Sequence, residues 1–423
     1  MSKTTPRPDD YALMLCRRAK EAAAALATAT SGRKDAALKA AAAMIRSRAS
    51  DLSAANRKDL DEGHKANLPA ALLDRLELAP KRIEAMAAGL EQIAALKDPV
   101  GEIIAGWRRP NGLLIEKVRV PIGVILMIYE SRPNVTADAA ALTLKSANAV
   151  ILRGGSEAIR SNMAIAAVFA EAVESQGLPP AAIQVVETTD HAFVGKLLKM
   201  TGYIDLAIPR GGKSLIKYVT EESRVPVIKH YEGVCHTFVD ETADLKMASD
   251  ICFNAKVQRP GVCNAMETML VHEAVAGRFL PEISARMAAA GVELRGDDAS
   301  RAVCPEMKSA TEDDWSTEYL DLILSIKVVK DVGEAIEHIR RYGSAHSDAI
   351  VSRDEPSIER FVNEVDSSAV FVNTSTRFND GGEFGFGAEV GISTDKLHAR
   401  GPMGLEELTS YKYVVYGSGQ VRQ

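Results

Sequence analysis

The sequence predicts an α/β fold: two parallel-sheet domains and a small additional β element. Three observations predict it. Strand-like and helix-like runs alternate from Ala149 to Tyr231, a second alternation runs from His236 to Val372, and two apolar runs flank Pro121 as a separate strand pair. Alternation of this kind builds parallel sheets with helices on both faces. At 423 residues the chain has room for two or three domains, each with its own core. A hydrophobic content of 46% with 26% charged residues is ordinary for a soluble globular protein.

Composition also excludes several classes. The net charge of −6 leaves no basic footprint for nucleic acid. No apolar run approaches the ~18 residues of a membrane span. The start, Met1-Ser2-Lys3-Thr4-Thr5-Pro6, lacks an apolar signal region, so a cytoplasmic location is expected. Five cysteines (16, 235, 252, 263 and 304) form an odd set without framework spacing, which suits free thiols in a reducing compartment. The eight histidines are scattered and no Cys/His spacing fits a zinc site, so no metal is expected.

Residues 9–98 are rich in Ala, Leu, Lys and Arg, with apolar positions at helical spacing, as in Ile83, Met86, Leu90 and Ile93. Pro69 and Pro80 stand where helices start. Packed helices without chemistry are expected there. After Pro99, Leu113–Val120 and Gly123–Tyr129 are expected strands around Pro121, the first polar enough for an edge. In the first alternation the expected strands are Ala149–Leu152, Ile183–Val186, Ile204–Ile208 and Val225–Lys229. Helices are expected at 157–176, His191–Met200 and Gly212–Thr220. In the second alternation the expected strands are Thr237–Val239, Met266–His272, Leu322–Val329, Asp348–Val351 and Ala369–Val372. Its helices are expected near Asp244–Asn254, Glu273–Ala290, Gly333–Tyr342 and Pro356–Glu364. Residues 374–404 are Gly-rich and are expected to form loop over the site or between domains. The usual G-x-G-x-x-G dinucleotide fingerprint is absent from the chain.

The chemistry centres on Asn254-Ala255-Lys256-Val257-Gln258-Arg259-Pro260-Gly261-Val262-Cys263-Asn264-Ala265-Met266-Glu267. Cys263 follows a Pro-Gly turn and precedes an apolar strand. Asn254, Gln258, Arg259 and Asn264 around it are not core composition. A thiol near Arg and Lys is expected to have a depressed pKa, and the thiolate is the reactive form. On this window alone a nucleophile and a small buried hydrophobe stand as alternatives. A second site candidate is Arg153-Gly154-Gly155-Ser156-Glu157, between a strand and a helix. Its glycines admit a ligand close to the backbone, and a helix N-terminus favours phosphate. Arg153 and Ser156 offer donors suited to a 2′-phosphate, which points to NADPH rather than NADH. The alternative is a plain βα turn capped by Ser156.

The nucleophile window resembles the active-site segment of the γ-glutamyl phosphate reductase (glutamate-5-semialdehyde dehydrogenase) family, within the aldehyde dehydrogenase superfamily. Tyr129-Glu130-Ser131-Arg132-Pro133-Asn134-Val135-Thr136 and Ile151-Leu152-Arg153-Gly154-Gly155-Ser156-Glu157-Ala158 resemble the same family. The resemblance runs from about residue 100 to the C-terminus. It implies an aldehyde-dehydrogenase-like fold of two Rossmann-like parallel-sheet domains plus a small β oligomerisation element. Residues 1–106 and 121–232 would form the cofactor-binding domain and 233–400 the catalytic domain. Residues 107–120 and 401–423 would form the oligomerisation element, with Tyr413-Val414-Val415-Tyr416 as its C-terminal strand. An ordinary exposed hairpin is the alternative for that ribbon.

The resemblance also implies roles. Asn134 matches the amide that helps Cys263 stabilise an oxyanion; otherwise it is a turn-former after Pro133. Arg210, Gly211 and Gly212 match the segment holding the cofactor's pyrophosphate. Glu318 matches the acid that binds the nicotinamide ribose, or is a plain surface acid. Arg259 and Arg132 are candidates for the substrate's α-carboxylate or phosphoryl group. In the superfamily a Lys usually stands where Arg153 is.

The implied reaction is NADPH-dependent reduction of L-glutamyl 5-phosphate through a thioester. A homo-oligomer is implied, and the upstream glutamate 5-kinase is a candidate partner. The rivals are an NADP-dependent aldehyde dehydrogenase yielding the free acid, a thiol acyltransferase or hydrolase, and a non-enzymatic scaffold. Hydrolytic members of the superfamily place a Glu ahead of a Gly-Gly pair upstream of the Cys. In Lys229-His230-Tyr231-Glu232-Gly233-Val234-Cys235 the Gly-Gly pair is broken. His230 falls where that Glu stands, and a two-residue shift would put Glu232 there. Without such a base, phosphate rather than water is expected to release the thioester.

Overall fold

The computed structural model describes residues 8–229 and 231–422. The strands in chain order are β1 (Ile103–Arg108), β2 (Leu114–Pro121), β3 (Val124–Tyr129), β4 (Ala149–Arg153), β5 (Ile183–Val185), β6 (Leu206–Arg210), β7 (Cys235–Val239) and β8 (Met266–His272). They continue with β9 (Glu293–Gly296), β10 (Lys308–Ser309), β11 (Ile323–Val329), β12 (Ser347–Val351), β13 (Ala369–Val372), β14 (Ile392–Ser393), β15 (Gly401–Pro402) and β16 (Thr409–Tyr416). The chain divides into two compact units. One comprises Met1–Lys229, Gly385–Gly391 and Met403–Gln423, the other His230–Phe384 and Ile392–Pro402. The segment Gly385–Gly391 groups with the first unit.

In the first unit five helices (Pro8–Leu26, Ser31–Ser47, Ala49–Lys65, Ala70–Leu76 and Pro80–Ala95) bury the apolar stripe that their spacing predicts. A four-stranded parallel sheet follows, in the order β5-β4-β3-β6. Strands β3 and β4 are buried along their whole length. The order reverses at β3, because β4 and β5 lie on one side of it and β6 on the other. Such a switch point opens a crevice at the strands' carboxyl ends.

The expected strand Val225–Lys229 is a single bridge, Ala207 to Val227. Pro226 has no N–H to give a ladder, and its carbonyl accepts only the Ala207 N–H. The expected strand Ile204–Ile208 begins two residues later, at Leu206. Helix Pro133–Lys145 was not among the expected elements. It is buried on nearly all sides, so its sequence carries no amphipathic period. Strand β2 pairs antiparallel with β1 on one side and β16 on the other in a separate three-stranded sheet, and Tyr413–Tyr416 lie within β16 as expected. Strand β1 escaped notice because all six of its residues are exposed.

The second unit is built on a seven-stranded parallel sheet in the order β10-β9-β11-β8-β7-β12-β13. Val239, Met269, Val271, Leu324 and Ile326 pack with the helices Leu245–Val257 and Glu273–Ala289 in one core cluster. Phe238, Leu270, Val329 and Ile350 pack with the helices Val332–Tyr342 and Glu355–Glu364 in another. The period-2 register therefore divides these central strands between two cores. Residues 374–404 are loop apart from a short turn at Thr376–Phe378 and the β14–β15 pair.

Candidate active site

The first unit holds a cavity of about 570 Å³ at the carboxyl ends of β3 and β4. Ile128 to Ser131, Arg153, Gly155 to Glu157, His191, Leu215 and Tyr218 are among the residues that line it. Arg153 is 5% exposed. Its Nη1 donates to the Gly154 carbonyl at 3.0 Å and its Nη2 to the Thr189 carbonyl at 3.2 Å. Its Nε is buried without a hydrogen-bond partner among the described residues. Burial draws the guanidinium below the usual arginine range, opposed by the charges of Glu157 and Asp190. A buried cation with a spare donor, in a cavity at a switch point, suits an anionic group such as a cofactor phosphate. Gly154 has no room for a side chain, since a Cβ would collide with Asn162.

Glu157 was missed by sequence reasoning as a constraint on this site. Its carboxylate accepts from the Ser131 N–H at 2.8 Å and from the Ser131 hydroxyl at 2.5 Å. Ser131 itself has a positive φ of 31°, so this clamp holds a strained turn after β3. The turn leads into Arg132, half-buried at the N-cap of helix Pro133–Lys145, and then to Asn134 in its first turn. Asn134 is exposed, and its Nδ2 donates to Asp138 Oδ2 at 3.2 Å. Burial pushes the Asp138 carboxyl up to about 6, against the Asn134 hydrogen bond and the Arg210 charge.

The Arg210-Gly211-Gly212 segment is placed differently from Arg153. Arg210 Nη1 donates to the Val390 carbonyl at 3.0 Å. The Gly212 N–H, expected for pyrophosphate, is taken at 2.9 Å by Glu130 Oε2. A Cβ at Gly211 would stand 2.6 Å from that same carboxylate. None of the three is among the cavity-lining residues, whereas Leu215 and Tyr218 of the following helix are.

In the second unit the loop between helix Leu245–Val257 and β8 carries Cys263. All five cysteines are free, and Cys263 is the one that is not buried. Burial pushes the thiols of Cys16 and Cys252 up to about 12 and raises Cys235 and Cys304 as well. Those four are inert at neutral pH, and Cys263 is left as the accessible thiol. The loop enters β8 at its N-terminal end, and neighbouring strand entries pack against it. Cys235, opening β7, has its Sγ 3.1 Å from the Cys263 carbonyl. Gly233 lies so close that a Cβ there would collide with that carbonyl and stand 2.7 Å from the Cys263 Cα. One glycine of the broken Gly-Gly pair is therefore required by packing on the Cys263 backbone. Glu232, just before it, is half-buried, and His230 lies outside the described residues.

The segment ahead of β11 also reaches this loop. The Leu320 N–H donates to Glu267 Oε1 at 3.4 Å, and a Cβ on Gly261 would touch the Leu320 carbonyl at 3.7 Å. Half-buried Glu318 lies near enough for its charge to raise Glu267. Lys256 and Glu267, both inside the motif window, form an ion pair at 2.6 Å. Arg259 is exposed and makes no ion pair among the described residues. Arg377, on the Thr376–Phe378 turn, escaped the sequence reading because nothing local marks it. Its Nε donates to Gln258 Oε1 at 2.9 Å and its Nη1 to Asn264 Oδ1. Among the described residues no cluster of His, Cys, Asp and Glu could hold a metal.

The Aldehyde dehydrogenase family profile matches residues 9–313. The chain is 58% identical over 407 residues to a gamma-glutamyl phosphate reductase of Caldanaerobacter subterraneus subsp. tengcongensis, covering 96% of this chain and 98% of that protein. It is 56% identical over 405 residues to a protein of the same name from Geobacter metallireducens, covering 96% and 97%. Its fold superposes on the crystal structure of gamma-glutamyl phosphate reductase from Thermotoga maritima with a TM-score of 0.96 at 48% identity, covering 97% of this chain and 100% of that one.

Proposed function

The chain belongs to the aldehyde dehydrogenase family and, within it, to the γ-glutamyl phosphate reductases, and on that premise we propose that it reduces L-glutamyl 5-phosphate to L-glutamate 5-semialdehyde and phosphate with NADPH. This is the second step of proline biosynthesis from glutamate. The observation that carries the reading is the accessible Cys263 thiol beside four buried, inert ones.

An acyl phosphate is an activated carbonyl compound, and the Cys263 thiolate attacks its acyl carbon. The Cys263 backbone N–H and the Asn134 amide are proposed as donors to the developing oxyanion. Phosphate leaves and a thioester remains on Cys263. When bound, NADPH supplies the hydride that reduces this acyl group. Cys263 is regenerated as the thiolate when the aldehyde is released. The orphaned Nε of Arg153, a residue lining the first unit's cavity, fits a phosphate-bearing cofactor there. Arg210, Gly211 and Gly212 are proposed for its pyrophosphate end, which requires Glu130 to yield the Gly212 N–H. Glu318 is proposed for the nicotinamide ribose, and Arg132 and Arg259 for the substrate's anionic groups.

The β1–β2–β16 sheet exposes Trp107, Tyr411, Tyr413 and Tyr416. A second copy of the chain is proposed as the cover for this apolar face. A cytoplasmic location and contact with glutamate 5-kinase remain part of the same proposal.

The test runs the reaction backwards. NADPH formation from NADP and glutamate 5-semialdehyde is expected to depend on added phosphate or arsenate, and Cys263→Ala is expected to abolish it. Sustained turnover without either anion would identify a hydrolytic base, with Glu232 the first suspect. That outcome would move the reading to an aldehyde dehydrogenase that yields the free acid.

A further inference from the structure

Arg377 stands 113 residues beyond the nucleophile's neighbour Asn264, yet its guanidinium is bonded to Asn264 Oδ1. The same segment grips the loop three more times. Thr376 Oγ1 donates to the Asn264 carbonyl at 2.7 Å, and Asn264 Nδ2 donates to the carbonyls of Asn379 at 2.9 Å and Arg377 at 3.4 Å. The side chain is thus tied to the residue that follows Cys263, and it is half-buried.

Its charge is poorly answered by the protein. Both side-chain acceptors, Gln258 Oε1 and Asn264 Oδ1, are neutral amides. Neither Arg377 nor Arg259 forms an ion pair among the described residues. Burial first, and the Arg259 charge next, draw Arg377 below the usual arginine range. Asp380 acts in the opposite direction, but its Oδ1 already accepts from the Gly382 N–H at 2.9 Å. Two guanidinium groups near enough for the charge of one to act on the other, beside a thiol and without an ion pair among the described residues, suit an anion. Arg377 uses Nε and Nη1 for the loop, and its Nη2 makes no hydrogen bond to the described residues.

We propose that Arg377, together with Arg259, forms the anion subsite that receives the substrate's phosphoryl group beside Cys263 and holds inorganic phosphate in the reverse direction. The inference deepens the function proposed above and rests on its acyl-phosphate chemistry. The phosphoryl oxygen is bonded to the very carbon that Cys263 attacks, whereas the α-carboxylate lies several bonds away. A cation tied to Cys263's immediate neighbour therefore suits the phosphoryl group. In the forward step the sulfur–carbon bond forms, the carbon–oxygen bond breaks, and the bond's electron pair leaves with phosphate. In reverse, an oxygen of hydrogen phosphate attacks the thioester carbon, Cys263 leaves as the thiolate, and the phosphate proton passes to the sulfur or to solvent.

The experiment follows alkylation of Cys263 by iodoacetamide, read by mass spectrometry, against increasing inorganic phosphate. Phosphate is expected to protect the wild type. Arg377→Gln is expected to need roughly ten- to a hundredfold more phosphate for the same protection, with Arg377→Lys in between. In NADP-dependent oxidation, the KM for phosphate is expected to rise by a similar factor while the KM for the aldehyde stays put. Arg259→Gln, at an exposed position, serves as a second variant if Arg377→Gln does not fold. Unchanged protection and unchanged phosphate KM in both variants would overturn the proposal. A rise confined to the aldehyde KM would also overturn it, by assigning the pair to the carboxylate. If the wild type fails to turn over the semialdehyde yet shows Arg377-dependent protection by phosphate, the anion subsite stands and the substrate reading falls.

Discussion

Lys256 and Glu267 form an ion pair at 2.6 Å in which neither side chain has any exposure to solvent. Lys256 stands in the last turn of the helix before the Cys263 loop, and Glu267 lies in the strand after it. The pair therefore closes the base of the loop that presents Cys263. Burial disfavours both charges, pushing Glu267 up and Lys256 down, while each partner's charge opposes the shift. Lys256→Met alone strands a buried carboxylate and is expected to cost about 3–5 kcal/mol. Lys256→Met with Glu267→Gln is expected to recover most of that loss, because no unpaired charge remains. Urea unfolding of both variants measures it. An equal loss in single and double variants would show that the pair's shape, not its charge, holds the loop.

Asn134 donates to Asp138 along its own helix, which leaves its second amide hydrogen for another acceptor. Asn134→Ala is expected to lower kcat by roughly 10²–10³, the usual effect of losing one oxyanion donor. A change confined to KM would make Asn134 a binding residue instead.

Arg153→Gln is expected to weaken NADPH binding and leave NADH binding nearly unchanged. Fluorescence titration with both cofactors reads this directly. Equal weakening of both would assign Arg153 to the shared part of the dinucleotide or to the fold, since it also ties Gly154 and Thr189.

His338 is buried against Trp315, Tyr342 and His236. Burial, then the charges of His236, Lys327 and Arg341, draws its pKa down to about 2. The unfolded chain takes up this proton near pH ~6.5, whereas the folded protein does not. The unfolded state thus binds more protons below that pH, and stability falls as pH drops, by about 1.4 kcal/mol per unit for this one group. His338→Phe is expected to flatten the dependence of the urea midpoint between about pH 7 and 5. An unchanged slope would place the acid sensitivity elsewhere.

Sequence alone determined the two strand–helix alternations, the Cys263 window and the Arg153 turn. It could do so because period, turn residues and motif spacing are local properties, present before any packing. Where the signal was not local, it failed. Helix Pro133–Lys145 lacks a polar face, and the strand expected at Val225–Lys229 was undone by Pro226. Tertiary structure alone decided which groups meet. It set Gly233 against the Cys263 backbone, Leu320 against Glu267, and Arg377 against Asn264. It also put Cys263 at the N-terminal entries of the second sheet, while the first unit's cavity opens at carboxyl ends of its strands. The reason is the parallel sheet itself. Strand order brings distant segments side by side at its two ends, and no local sequence pattern encodes which neighbours a strand will have.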